Sequence, residues 1–416
     1  MNKKEFINAT WVVSEKLVSI IGLFFVTTFV AKYVGPSIFG QISYALAIFQ
    51  IVQIISQLGS ETLLFKRISQ NVFSGVKLIK HTTKIRFILY ILISFPVLFY
   101  FLLKSNGSGL IFIFAACLSC LFLSMDVYSI YNDARLRSKI NTIVNFIGLS
   151  VSLVVRYFIA YFEFSPKFLA IPMVLVSLIP LVIRYYFFVK EVDCFEFSKS
   201  KRERWRYSRF IIGAGSLTVI STISITIYAR VNQFVLNVFC GDHYVGIYNC
   251  ALGLASCWIF VLYSFINSLL PSFFSEKDLN LSIKKIRKIN LIVLSISVPI
   301  VIIAYFFSER IIMILYGSQY IESILLLKLL VFATPLSALN FVATRVIIKY
   351  SNYKYLAYKS LFILFFYFFS SIIFIKEFGY VGAAYSTLVS EALSLTLANY
   401  FFKKGFILQT HIYTKI

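Results

Sequence analysis

Five basic residues fall inside long apolar stretches of this chain: Lys16, Arg156, Arg184, Arg230 and Lys328. An arginine donates two parallel hydrogen bonds from a planar fork, a geometry that suits phosphate or carboxylate. A charge stranded at mid-bilayer costs at least ~2.5–3.5 kcal/mol, so each of these residues needs a reason to be there. Arg156 and Arg230 lie at similar depth in two different stretches and form the best-placed pair for an anion. The alternative for both is snorkelling to headgroups or pairing with a nearby acid. Lys16 stands beside Glu15, but adjacent residues diverge by about 100° on a helix, so the two do not simply neutralise one another. Lys16 is therefore either a receiving cation or an inward snorkel. Arg345, near a stretch end, and Arg184 read equally as ordinary anchors. Proton uptake or charge balance would fall to three acids: Glu391 in mid-stretch, and Asp126 and Glu61 near stretch ends. No nucleophile–base pair, phosphate-cradling Gly-Lys-Ser/Thr loop or metal-ligand spacing is visible, and His81, His243 and His411 lie in loops or the tail. The chain is thus expected to have no catalytic residues and no bound metal.

The elements that position these groups follow from composition. Of 416 residues, 59% are hydrophobic, 18% aromatic and only 14% charged, too little polar surface for a soluble domain. Backbone groups in lipid must be satisfied within each segment, so spans are helices or closed barrels. Continuous runs such as 110–124 and 289–307 lack the period-two alternation of barrel strands, so helices are expected. Twelve spans are predicted near 10–31, 41–63, 85–103, 109–131, 143–162, 168–188, 209–238, 244–270, 289–307, 322–347, 356–375 and 380–402. Cys117 and Cys120 fall inside one of them, as small apolar filler rather than a redox pair.

The net charge of +23 does not indicate nucleic acid, because the charges stand in short blocks between apolar runs. With residues at span ends counted in the adjoining segments, thirty of the forty Lys and Arg fall on one side and five on the other. By the positive-inside rule both termini are then cytoplasmic. No cleavable signal precedes the first span, so that span is expected to be retained. The longest connection is cytoplasmic and gives a division into an amino-terminal lobe (1–190), a linker (191–208) and a carboxy-terminal lobe (209–416). Two basic stretches with helical apolar spacing, Val72/Val76/Ile79 and Leu279/Ile283/Ile286, are expected to lie flat at the inner surface.

One short sequence is written twice. "YVGPSIFGQISYALA" (33–47) and "FCGDHYVGIYNCALG" (239–253) share Gly35/Gly241, Gly40/Gly246, Ala45/Ala251 and Leu46/Leu252 at an offset of 206. The first glycine suits a left-handed helix end and the second a crowded helix start. Together with Pro96 and Pro299, near the middle of the third and ninth spans, the pattern indicates an internal repeat. Six spans return the chain to its starting side, so the repeats are parallel. The fold class is therefore an all-α polytopic membrane protein, twelve helices in two parallel six-helix repeats around a central cavity, working by alternating access.

These glycine motifs, with "QLGSETLLFKRIS" (57–69), "ILYGSQYIESILLLKLL" (314–330) and "GYVGAAYSTLVSEAL" (379–393), resemble the O-antigen and polysaccharide flippase branch of the multidrug/oligosaccharidyl-lipid/polysaccharide exporter superfamily. The resemblance implies a flippase that moves undecaprenyl-pyrophosphate-linked oligosaccharide from the inner to the outer leaflet of the bacterial cytoplasmic membrane. It also implies contact with membrane lipids and with a downstream polysaccharide polymerase. Arg156, Arg230, Lys16 and Arg345 would then meet the pyrophosphate. Related sequences often carry an acid near Asn232, which weakens any ion-coupling role there. No cofactor is implied; a proton gradient, a sodium gradient or downstream consumption would drive the cycle. A cation-coupled multidrug exporter would predict an acidic cavity, and a membrane polymerase or ligase a sizeable outer loop. Neither matches the surplus of intramembrane arginine or the short outer loops.

Overall fold

The computed structural model describes residues 3–104, 109–192, 216–276, 278–350, 353–402 and 406–411. Of these, the side chains of 3–21, 23, 25, 62, 216–221 and 353 are not described. The described residues are helical, without strands. Among the described residues ten helical segments are long and apolar enough to cross a membrane. Two pairs of the predicted crossings are each joined into one segment. The first two form one helix, α1 (Lys3–Gln57), turned at Gly35, and the last two form one apolar segment over 354–400. The twelve expected crossings are compatible with this arrangement, and the chain is a multi-pass membrane protein.

Two compact units emerge, residues 1–34 with 41–226, and residues 35–40 with 227–416. The expected linker at 191–208 lies outside the described residues beyond Val192.

In the first unit, α1 ends where Leu58 and Gly59 both take positive φ, at 50° and 56°. A separate short helix, α2 (Ser60–Gln70), follows. The second crossing therefore ends at Gln57 and not at 63, and Glu61 belongs to the exposed start of α2 rather than to a span end. Helix α3 (Val72–Lys104) runs on without interruption. Its first turns do not form a separate surface helix. Val76 and Ile79 are buried against Leu64 and Ile68 of α2 and Tyr128 and Tyr131 of α5 (Tyr128–Ala134). Further along, α3 is polar inward and apolar outward. Arg86, Tyr90 and Ser94, one helical turn apart, are buried, whereas Phe87, Ile88, Ile91, Leu92 and Phe95 are exposed. That inversion is what a lipid-facing helix requires. Helices α4 (Gly109–Met125), α6 (Ser138–Tyr161) and α7 (Ala170–Val192) complete the unit.

The seventh crossing, whose residues to 226 belong to the first unit and from 227 to the second, is broken. α8 (Ser216–Tyr228) stops, and α9 (Val231–Cys240) begins after Arg230. The next crossing pairs α10 (Asp242–Ser256) with α11 (Ile259–Phe274). Helix α12 (Leu279–Phe306) is also continuous, with Ile283 and Ile286 buried beside Leu262, Ile266 and Phe273. Its first turns thus belong to the core as well, although Leu279 itself is exposed. After α13 (Ser308–Leu315), α14 (Ser323–Leu330) and α15 (Ala333–Lys349) form the tenth crossing. The last elements are α16 (Tyr353–Phe378), α17 (Gly382–Leu395), α18 (Leu397–Tyr400) and α19 (Phe406–His411).

The repeated turns lie together in this second unit. Gly35 (φ 76°, ψ 171°) and Gly241 (φ 86°, ψ 177°) have nearly the same conformation, one closed to residues with a β-carbon. A Cβ on Gly40 would overlap the Asp242 carbonyl, and one on Gly246 would overlap the Pro36 carbonyl. Positions 36 and 40 thus meet 242 and 246 reciprocally, each separated from its counterpart by the same 206 residues.

Candidate functional site

The charged side chains sort by unit. In the first, Asp126 forms a buried ion pair with Arg184, with side-chain exposures of 9% and 4%. Arg184 also donates to the Asn145 side chain and, at 3.4 Å, to the Asn141 carbonyl. Asp126 follows the last residue of α4, and its Oδ1 accepts the Ser129 amide at 3.4 Å. Arg184 is therefore a lobe brace and not the headgroup anchor expected from its position, and Asp126 is its charge-balancing partner.

Arg86 is a second brace, although its place in the sequence groups it with the topology charges. Its guanidinium donates to Ser60 Oγ at 2.7 and 3.2 Å and to the Ser124 carbonyl at 3.0 Å. Both acceptors come from distant segments, so nothing local marks this arginine as buried. At the end of the unit Glu191 pairs with Arg135 and with Arg137, the latter at 2.9 Å.

Arg156 differs from all of these. It lies on α6, half-buried, and among the described residues it makes no ion pair or hydrogen bond. Among the described residues no charged neighbour acts on it. It is an arginine in a membrane-crossing helix whose donors meet no partner among the described residues.

In the second unit Arg230 occupies the break between α8 and α9. Its amide donates to Ile227 O at 2.9 Å, and its carbonyl accepts from Gln233 at 3.0 Å and Phe234 at 3.3 Å. No proline or glycine explains this break. The polar residues around it do engage elsewhere: Gln233 donates to Asn249 at 2.5 Å, and Tyr228 to Glu391 Oε1 at 3.0 Å. Arg345 lies over the Phe341 ring at 4.4 Å, and its Nε is buried without a hydrogen-bond partner among the described residues. Lys16 sits within α1, but its side chain lies outside those described.

Asn232 is saturated. Its amide nitrogen shares two N–H donors among Tyr248 (3.1 Å), the Ala383 carbonyl (2.7 Å) and Thr387 (3.0 Å), and its oxygen accepts from Ser371 (2.6 Å) and Ser386 (3.1 Å). A neutral amide can serve donors and acceptors at once, which a carboxylate cannot. It joins α9, α10, α16 and α17 as a structural knot.

Lys359, like Arg86, falls by position among the cytoplasmic charges. Its ammonium instead donates to Asn340 Oδ1 at 2.7 Å and Asn399 Oδ1 at 2.8 Å.

Comparison with known proteins places this arrangement. A family model described as "Polysaccharide biosynthesis protein" matches residues 6–277. The chain belongs to that family. No curated protein matches it. Among solved structures, it is similar to an inward-facing multidrug resistance MATE family transporter of the MOP superfamily, with a TM-score of 0.71, 14% identity, and 95% of this chain and 96% of that one covered. It is also similar to the lipid II flippase MurJ in an inward closed conformation, with a TM-score of 0.66, 14% identity and coverage of 98% and 90%. A mutant form of the Vibrio cholerae MATE transporter VcmN matches with a TM-score of 0.58, 15% identity and coverage of 95% and 96%. The fold of this polysaccharide biosynthesis protein is that of the MOP superfamily. The resemblance carried by the glycine motifs is borne out at the level of family and fold.

Proposed function

We propose that this protein carries an undecaprenyl-pyrophosphate-linked oligosaccharide from the inner to the outer leaflet of the bacterial cytoplasmic membrane. The observation that carries this reading is Arg156. A guanidinium held within a crossing helix, with no partner among the described residues, suits an anion that visits and leaves. Membership of a polysaccharide biosynthesis family supports a saccharide cargo. The likeness to MurJ, a lipid II flippase, supports a lipid-linked cargo on this fold. In this reading Arg230, Arg345 and Lys16 add positive potential along the path, and the polyprenyl chain stays in lipid. The downstream polymerase takes the delivered unit.

The test is leaflet accessibility of a labelled undecaprenyl-pyrophosphate-linked oligosaccharide in vesicles holding the purified chain. Arg156→Ala is expected to slow movement about tenfold or more, and Arg156→Lys less, because a point charge replaces only part of the fork. Equal rates in wild type and Arg156→Ala would overturn the assignment. Movement of small cationic drugs without movement of the labelled lipid would favour an exporter instead.

A further inference from the structure

One acid in the second unit is left incomplete. Glu391 lies on α17, one turn before its end. Its Oε1 accepts the Tyr228 hydroxyl at 3.0 Å, while its Oε2 is buried and has no hydrogen-bond partner among the described residues. An ionised carboxylate offers about four acceptor sites, so one donor leaves most of that capacity empty in a low-dielectric setting. A protonated carboxyl needs far less, since its Oε2–H is neutral and Oε1 keeps the tyrosine.

The surroundings also provide for the ionised form. The titratable and charged groups acting on Glu391 are Tyr228 on α8, Tyr263 on α11, and Lys359 and Tyr367 on α16. Lys359 is the only cation among them. It forms no ion pair with Glu391, because its ammonium is held by Asn340 and Asn399. Those amides are themselves tied in: Asn399 donates to Asn340 at 3.2 Å, and Asn340 donates to Ser394 at 2.9 Å. Tyr367 is held by Thr387 at 3.0 Å and packs on the Tyr228 ring at 4.5 Å. The lysine is therefore fixed at a distance, where its field favours the carboxylate without capturing it. Neither charge state is locked.

We propose that Glu391 is a proton-binding site, with Tyr228 orienting the carboxyl and Lys359 making its ionised state tenable. Water delivers the proton, the carboxylate becomes a carboxylic acid, and on release the proton returns to water. Net charge in the cluster then alternates between that of lysine alone and zero. Because this coupling deepens the proposed transport activity, its test has one arm that does not depend on cargo.

That arm is infrared difference spectroscopy of the full chain in vesicles during a pH titration. A protonated-carboxyl band that appears on acidification is expected in wild type and absent in Glu391→Gln. Lys359→Met should keep the band to higher pH, because the field favouring ionisation is gone; this variant also serves if Glu391→Gln fails to fold. A wild-type titration with no band lost in Glu391→Gln, or no effect of Lys359→Met, would overturn the proposal. The transport arm imposes an inwardly or outwardly acidic gradient and follows the labelled lipid-linked oligosaccharide. An acceleration on the order of tenfold is expected in wild type and none in Glu391→Gln. Equal acceleration in both would also sink the proton site. Absence of lipid movement in wild type, with the infrared result intact, would instead remove the cargo assignment and leave the proton site standing.

Discussion

Intramembrane charge in this protein takes three forms. Arg86 and Arg184 are consumed by internal partners, Lys359 is held by two amides, and Arg156 has no described partner. Breaking the buried Asp126–Arg184 pair leaves one charge uncompensated. Asp126→Ala is expected to lower stability by about 3–5 kcal/mol, measured by denaturation in detergent. Asp126→Leu combined with Arg184→Met should recover most of that loss, because the cost is the stranded charge rather than the missing bond. The sequence separates these classes poorly. Arg86 and Lys359 obey the same positive-inside statistics as true surface cations, and their burial depends on Ser60, Ser124, Asn340 and Asn399. Spacing within one segment cannot report partners that other segments supply. Arg156, Arg230 and Glu391 could be singled out because they interrupt apolar runs.

At the scale of elements, apolar run length located the crossings, yet their ends needed backbone detail. Two positive-φ residues stop α1 at Gln57, and only Gly59 hints at this in the sequence. The stripes read as surface helices on α3 and α12 are real stripes, but their apolar faces meet protein on continuous helices. Periodicity identifies an apolar face without saying what covers it. The glycine turns were legible for the opposite reason, since their constraint is local. Gly40→Ala and Gly246→Ala each insert a methyl group into the same reciprocal contact. Each should destabilise by about 1–3 kcal/mol, with the double variant costing clearly less than the sum in thermal denaturation. At the carboxy end, His411 shares a 3.2 Å contact with Tyr400, and burial holds its imidazole below the ordinary histidine value. The unfolded state therefore takes up the proton first. Docking of α19 is strongest above about pH 6.5 and weakens as pH falls towards the lowered value. Hydrogen exchange of residues 406–411, corrected for intrinsic rates, should show that loosening, and His411→Gln should abolish its pH dependence.

For the whole molecule, charge distribution is the statement that reaches furthest. Thirty basic residues against five support the proposal, by the positive-inside rule, that both ends face the cytoplasm. Substituted-cysteine labelling in intact cells with a membrane-impermeant reagent is expected to reach Lys167→Cys and to spare Lys139→Cys until the cells are opened. The converse pattern would invert the assignment.

The paired glycine turns carry a last implication, for heredity rather than mechanics. Each hands the other a bare α-carbon and receives a carbonyl, so the fit belongs to neither stretch alone. A change of shape at Pro36 or Gly40 is felt at Asp242 or Gly246. Although half a polypeptide apart, the two short sentences are bound to drift in step, and an edit to one must be answered in its echo.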